Sequence, residues 1–134
     1  MNIEEAFYLA RKVMDMVGIP ILYRGCPNHV IDYTKQYGEG SYSQCYHIVK
    51  TGPSWDAETL IHECCHALQY PNEIPDGYLE DPSVYLSCSF EQEAFFVSKM
   101  AVLKVQIKPG DLERYKDYGA NVSRSLRLRI NKAR

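Results

Sequence analysis

The segment 62–66 carries the residues best suited to chemistry, because it reads His-Glu-Cys-Cys-His with two histidines four positions apart. Residues four apart on a helix share one face, so both imidazoles can reach a single zinc ion. Glu63, next to the first histidine, is placed to take a proton from a water molecule at the open coordination position. The spacing therefore predicts a catalytic zinc site held by His62 and His66, with Glu63 as the general base.

A catalytic tetrahedral zinc site uses three protein ligands and keeps its fourth position for water. The other histidines, His29 and His47, both precede the predicted helix, so a later acidic residue is the better third ligand. Glu91 is preferred because on a helix it shares a face with Ala94 and other small residues, which would let two helices pack closely. Glu93, on the far side of that helix, is the alternative ligand and is expected to be solvated.

The elements that must position these residues follow from periodicity and from turn residues. Short runs rich in apolar, aromatic and β-branched residues predict strands at 19–23, 30–33 and 42–49. Helices are predicted at 4–17, 55–70 and 84–104, with a last helical stretch from Asp111. Ser54 or Asp56 can cap the second helix.

The helix predicted at 55–70 has one narrow apolar sector, and His62 and His66 fall nearly opposite it. This pattern predicts that the apolar sector packs on a sheet while both imidazoles face a cleft. Two unrelated histidines on a solvated helix would fit the same pattern, so periodicity favours access to the imidazoles without proving a metal. The apolar sector consists of Ala57, Leu60, Ile61, Cys64 and Leu68.

The chain has 134 residues, 46% apolar and 24% charged, which is typical of one soluble domain. No stretch approaches the roughly 20 apolar residues that a membrane helix needs, and no signal peptide is predicted. The five cysteines have no Cys-x-x-Cys spacing, which favours free thiols in a reducing cytoplasm. We expect Cys64 in the core and Cys65 as a packed thiol rather than a ligand.

Charge is unevenly distributed: residues 121–134 hold five basic residues and no acidic one, although the net charge is -2. We predict a domain at 1–110, continued by a helical basic extension at 111–134. A solvated helix end is the first interpretation of this extension, and contact with nucleic acid, an acidic partner or the body of the protein is the alternative. The basic residues are Arg124, Arg127, Arg129, Lys132 and Arg134.

Two segments carry a family resemblance: residues 59–68 read Thr-Leu-Ile-His-Glu-Cys-Cys-His-Ala-Leu, and residues 91–94 read Glu-Gln-Glu-Ala. Together they resemble the gluzincins, especially the small IrrE- and ImmA-type domains and the minigluzincins, over roughly residues 40–105. The resemblance implies a small zincin-like α+β domain. It has a short antiparallel or mixed sheet packed on the HExxH helix, and a second long helix carries Glu91 as the third zinc ligand.

One position departs from that family pattern. Many relatives have Asp or Asn four residues after the ligand glutamate, where it holds a histidine in its correct tautomer, whereas this chain has Phe95. The partner of the imidazole must then come from elsewhere, for example from a backbone carbonyl.

The resemblance also implies peptide hydrolysis, with a peptide or a dedicated protein partner as substrate. The strand predicted at 42–49 would be the edge strand that aligns the substrate through backbone hydrogen bonds. Tyr70, Tyr78 and Tyr85 are candidate donors to the oxyanion, although packing roles are the first interpretation for each.

Two other functions are weighed against the peptidase. The first is a non-catalytic zinc-containing module that binds or regulates a protein or nucleic acid through its basic C-terminal segment. The second is a metal-free helical domain in which HExxH occurs by chance. The glutamate at position 63 favours catalysis, because a structural zinc site has no need of an acid beside its first histidine.

Overall fold

The structure is a computed structural model that describes residues 1–36, 38–70, 80–81 and 88–103. This part of the chain forms a small α+β fold with three helices and a three-stranded mixed sheet, which confirms the predicted α+β class and the mixed sheet. Its elements in chain order are α1 (Ile3–Val17), β1 (Asn28–Ile31), β2 (Gly40–Ser43), β3 (Ile48–Thr51), α2 (Ala57–Leu68) and α3 (Ser89–Leu103).

Helix α1 confirms the prediction at 4–17 to within one residue and has a cap at each end. Asn2 Oδ1 accepts a hydrogen bond from Glu5 N at 2.9 Å, and Gly18 ends the helix in the left-handed conformation at φ 82°. One stripe of the helix is buried in the core, so α1 packs through an apolar face. That stripe consists of Ala6, Phe7, Ala10, Val13, Met14 and Val17.

The sheet has the strand order β1-β3-β2, with β1 parallel and β2 antiparallel to the central strand β3. Val49 and Thr51 in β3 are completely buried, whereas Lys50 between them is exposed, as the two-residue period of a strand requires. The strand predicted at 30–33 exists but lies two residues earlier, at β1.

The prediction of a single strand at 42–49 is wrong, because a turn at residues 44–47 divides it into β2 and β3. His47 has φ 52°, a left-handed conformation that a strand cannot contain. Its Nε2 lies 2.6 Å from Gly25 O and its Nδ1 lies 2.7 Å from Tyr42 Oη. These contacts stabilise the turn against the strand preference of the surrounding residues.

The strand predicted at 19–23 is also wrong: these residues have no regular secondary structure. Leu22 N donates instead to Leu68 O at 2.8 Å, at the end of α2. The segment satisfies its backbone against a helix terminus and not in the sheet, which a short apolar run cannot reveal by itself.

Helix α2 begins after Asp56, whose Oδ1 accepts from Thr59 N at 2.7 Å, and it packs against α1, the sheet and α3. Nearly its whole circumference is buried, so the predicted contrast between one apolar sector and an open histidine face is too simple. Cys64 and Cys65 are both fully buried free thiols, as expected. The buried residues are Leu60, Ile61, His62, Glu63, Cys64, Cys65, Ala67 and Leu68.

No helix in the described ranges is long and apolar enough to span a lipid bilayer. Several predictions fall outside these ranges: Tyr78, Tyr85, the start of the helix predicted at 84–104, the division at residue 110 and the basic segment 121–134.

Candidate metal centre

The two histidines of the motif lie together on the face of α2 that α3 covers. Their Nε2 atoms are 3.2 Å apart and their ring centroids 4.8 Å apart. His62 is 6% exposed, so the pair is shielded from solvent by the protein. The four-residue spacing thus produces two imidazoles whose nitrogens point at a common location.

Glu91 reaches the same location from α3. Its carboxylate oxygen Oε2 lies 3.4 Å from His62 Nε2, and Oε1 contacts His66 Nε2. The Glu91 side chain is completely buried, and so are Ala94 and Ser98 on the same helix. Small residues therefore allow close approach of the two helices, and the structure brings His62, His66 and Glu91 together.

Glu93, the alternative third ligand, does not contact either imidazole in the hydrogen bonds and ion pairs of the described residues. Its Oε1 accepts a hydrogen bond from Gln69 Nε2 at 2.9 Å. The geometry therefore favours Glu91 over Glu93 as a ligand. Glu93 instead accepts a hydrogen bond from Gln69, which contacts His66.

Glu63 borders the same group of side chains. Its Oε1 lies 4.0 Å from His62 Nε2, and one ligand atom from each of His62, Glu63 and His66 falls within 4.8 Å of the others. The residue is 5% exposed. A carboxylate in this position can exchange a proton with a group bound next to the histidines.

Gly40, at the start of β2, lies directly against Glu63. A Cβ atom added at Gly40 would lie 2.9 Å from Glu63 Cγ, 3.0 Å from Thr59 Cγ2 and 3.3 Å from Glu63 Oε1. A larger residue would push the Glu63 side chain out of its position. Gly40 was not identified from the sequence, although a glycine within a strand is typical of places where the backbone closely approaches another group.

The electrostatics of the four residues are coupled. Burial raises the pKa of Glu63, and the nearby His62 and His66 offset this only in part. Burial would also raise the pKa of Glu91, but hydrogen bonds from His62 and His66 outweigh it and hold that pKa below its ordinary value. Without a metal, Glu91 is therefore ionised, whereas the Glu63 carboxylate has a higher proton affinity.

The pKa of His66 is raised although the residue is largely buried. Burial by itself would lower its pKa, but the hydrogen bond to Glu91 and the charges of Glu63 and Glu91 raise the pKa to about 9. A metal that binds His66 at neutral pH must therefore displace a proton.

Two imidazole nitrogens and a carboxylate make a donor set that fits zinc, which binds nitrogen and oxygen ligands in tetrahedral sites. The donors come from two helices that pack against each other, and Glu63 lies farther from His62 Nε2 than Glu91 does. The two histidines could therefore hold a metal ion together with a carboxylate, and both Glu63 and Glu91 lie within reach of them.

Sequence reasoning missed Gln69, whose Oε1 lies 2.6 Å from His66 Nδ1. The sequence predicted that the partner of a ligand imidazole would come from a position other than 95, for example from a backbone carbonyl, and for His66 a side-chain amide lies there. Phe95, at the position of the departure from the family pattern, packs its ring edge-on against His62, with centroids 4.5 Å apart. The only signal for Gln69 was a polar residue at the end of the HExxH helix.

Tyr70, one of the candidate oxyanion donors, directly follows Gln69 and is 55% exposed.

Comparison of the sequence with known protein families and with curated proteins, and of the fold with solved structures, gave no match.

Proposed function

We propose that this protein is a zinc-dependent peptidase with a zincin-like fold, in which His62, His66 and Glu91 hold the metal and Glu63 is the general base. One observation carries the proposal: a buried carboxylate from α3 meets both imidazoles of α2, with a second buried carboxylate beside them. Burial of several ionisable side chains has a cost in desolvation free energy, and such clusters are therefore typical of functional sites.

The role of each residue follows from its position. Zinc, when bound, polarises a substrate carbonyl and makes water more acidic. Glu63 accepts a proton at its carboxylate and can pass it to the leaving nitrogen, and burial, which raises the pKa of this carboxyl, favours the uptake of that proton. Gly40 on one side and His62 on the other fix the direction of this carboxylate.

The sheet supports a peptide as the substrate. In the described sheet β2 is an edge strand, paired with β3 along one side through positions such as Tyr42 and Val49. An extended peptide that added to the other side of β2 would run past Gly40 and therefore past Glu63. Backbone hydrogen bonds would then set the scissile bond beside the general base.

Metal analysis and two variants test the proposal. We expect about one zinc per purified chain, hydrolysis of an unstructured peptide library by the wild type, and loss of that activity with zinc retained in Glu63→Gln. His62→Ala should lose both zinc and hydrolysis. Glu58→Gln, on the partly exposed side of the same helix, is the matched control and should retain both.

Undiminished hydrolysis by Glu63→Gln would eliminate the mechanism. Wild-type protein that takes up no zinc from a buffered solution would eliminate the site. Zinc binding without hydrolysis of any peptide would favour the non-catalytic module.

A further inference from the structure

Gln69 connects the two helices that carry the metal-site residues. It follows α2 directly as the C-cap, with its backbone N donating to Cys65 O at 3.0 Å, and it is only 7% exposed. From this position its side chain turns toward α3 and makes three hydrogen bonds. Their partners are His66 Nδ1 at 2.6 Å, Phe90 O at 2.9 Å and Glu93 Oε1 at 2.9 Å.

The two partners on α3 determine which way the amide of Gln69 points. Phe90 O is a backbone carbonyl and Glu93 Oε1 is a carboxylate oxygen, so both can only accept hydrogen bonds. The NH₂ group of Gln69 must therefore face α3, and its Oε1 must face His66. A flipped amide would place Oε1 against two acceptors and lose both hydrogen bonds to α3.

The orientation of the amide in turn determines the proton on His66. Since Gln69 Oε1 is an acceptor, the Nδ1 atom of His66 must carry a hydrogen to donate to it. The ring is thereby oriented with Nε2 toward His62 and Glu91. This atom is the one that has to offer a lone pair to a metal.

We propose that Gln69 is the positioning residue of the metal centre, which holds His66 in the Nδ1–H form and fixes the turn of α3 that carries Glu91. This inference rests on the proposed function for its metal. Phe90 and Glu93 flank Glu91 on α3, so a single amide sets both the ring of one ligand and the location of another. Gln69 is thus the side-chain partner of His66, whereas Phe95 packs against the other imidazole, that of His62.

The test compares four variants. Gln69→Leu removes all three hydrogen bonds. Glu93→Gln is the matched control, because the amide it introduces can still accept from Gln69 through its carbonyl oxygen. Gln69→Glu keeps an acceptor for His66 but places a carboxylate against two other acceptors, Glu93 and Phe90 O. In the double variant Gln69→Glu/Glu93→Gln, the amide NH₂ group introduced at position 93 can donate to that carboxylate.

Zinc affinity is measured by competition with a chromophoric chelator, and ligand geometry by the visible spectrum of the cobalt-substituted protein. We expect Gln69→Leu to weaken zinc binding by about 10- to 100-fold, the range for residues that orient metal ligands. Glu93→Gln should stay close to the wild type. Gln69→Glu should be weakened, and the double variant should recover part of the loss together with the wild-type cobalt spectrum.

A second readout needs no metal. Long-range ¹H–¹⁵N NMR spectra of the chelator-treated protein should show a slowly exchanging Nδ1–H proton on His66 in the wild type and in Glu93→Gln. The proton should exchange rapidly in folded Gln69→Leu. Equal exchange in the wild type and Gln69→Leu, or unchanged zinc affinity in Gln69→Leu, would overturn the role of Gln69. Failure of the wild type to bind zinc would instead overturn the proposed function, and the NMR comparison would still decide the role of Gln69.

Discussion

Helix α2 packs against α1 on one side and α3 on another, and the two contact surfaces differ in kind. The buried residues of α1 are all apolar, and the closest polar approach between these helices is Cys65 Sγ to Met14 Sδ at 3.7 Å. On the other side, Glu91 of α3 is buried against His62 and His66. The same helix therefore joins an apolar interface to a charged one.

The difference separates stability from chemistry. Apolar burial stabilises the α1 contact without demanding any special orientation, since the hydrophobic effect is non-directional. The α3 contact removes charges from water, so much of their mutual attraction is offset by the cost of desolvation. We expect the α1 contact to contribute more to the stability of α2, and the α3 contact to carry the metal site with a smaller gain in stability.

The largest expected effect is on zinc binding by Glu91→Leu, which removes the carboxylate between the imidazoles. We expect zinc affinity to fall by more than about 100-fold, beyond the range for residues that merely orient ligands. Near neutral pH the unfolding free energy of the metal-free protein should also fall, because Glu91→Leu removes one partner of a buried ion pair and leaves protonated His66 without its carboxylate. Chelator competition and urea unfolding measure the two quantities. Glu93→Gln is the control, and a loss of zinc affinity there equal to that of Glu91→Leu would remove the distinction between these acids.

At the α1 interface, Met14→Ala should lower the unfolding free energy and leave zinc affinity unchanged. Met14 is completely buried, and truncation of such a residue typically costs about 2–5 kcal/mol of unfolding free energy. Zinc affinity of the folded protein should equal that of the wild type. If Met14→Ala instead impairs zinc binding at full folding, stability and chemistry are not divided between the two interfaces.

Gly40→Ala perturbs the general base while leaving the two helix interfaces in place. The added Cβ would displace Glu63, and a misplacement of about 1 Å can cost roughly 100-fold in rate. We expect kcat for peptide hydrolysis to fall by about that factor with zinc content unchanged. Gly25→Ala is the matched control, because a Cβ there meets nothing within 4 Å. Equal kcat values for the two variants would contradict the positioning of Glu63 by β2.

The smallest predicted effect is the pH dependence of the α3 contact without metal. The pKa of His66 is raised from 6.5 to about 9 in the folded protein, so its pair with Glu91 stabilises fully below about pH 6.5, the unfolded value. That stabilisation is lost as the pH rises through 9. Urea unfolding in chelator from pH 6 to about 9.5 should show a decrease on the order of 1–3 kcal/mol.

Glu91→Leu provides the comparison for this titration. Buried Cys64 and Cys65, whose pKa values burial raises, also lower stability at high pH in both proteins. Only the excess decrease in the wild type belongs to the His66–Glu91 pair. Superimposable pH profiles for the two proteins would show that the pair contributes no stability.

Much of this site could be predicted from short segments of sequence. Helix α1 and the core of α2 follow from apolar periodicity, and the pairing of His62 with His66 follows from four-residue spacing on one helix. Glu91 was preferred over Glu93 because of the small residues that share its face, and the structure places Glu91, not Glu93, against both imidazoles. Each of these inferences depends on a property that repeats along a continuous stretch of chain.

Strand assignment failed where a distant contact outweighed local preference. The run at 42–49 has strand-forming residues throughout, yet His47 bonds to Gly25 and bends the chain into a turn. The apolar run at 19–23 bonds to the end of α2 and not to a strand. Neither partner lies within the periodic window that the prediction used.

The sequence by itself determined that two imidazoles and an acid lie on one helix, because backbone geometry converts spacing into a common face. Only the tertiary structure decided that Gln69 orients His66, that Glu93 orients Gln69, and that Gly40 leaves room for Glu63. Each of these relations depends on a contact between different elements of the fold. They follow from how helices and strands pack, and no local pattern encodes the direction of a hydrogen bond across such an interface.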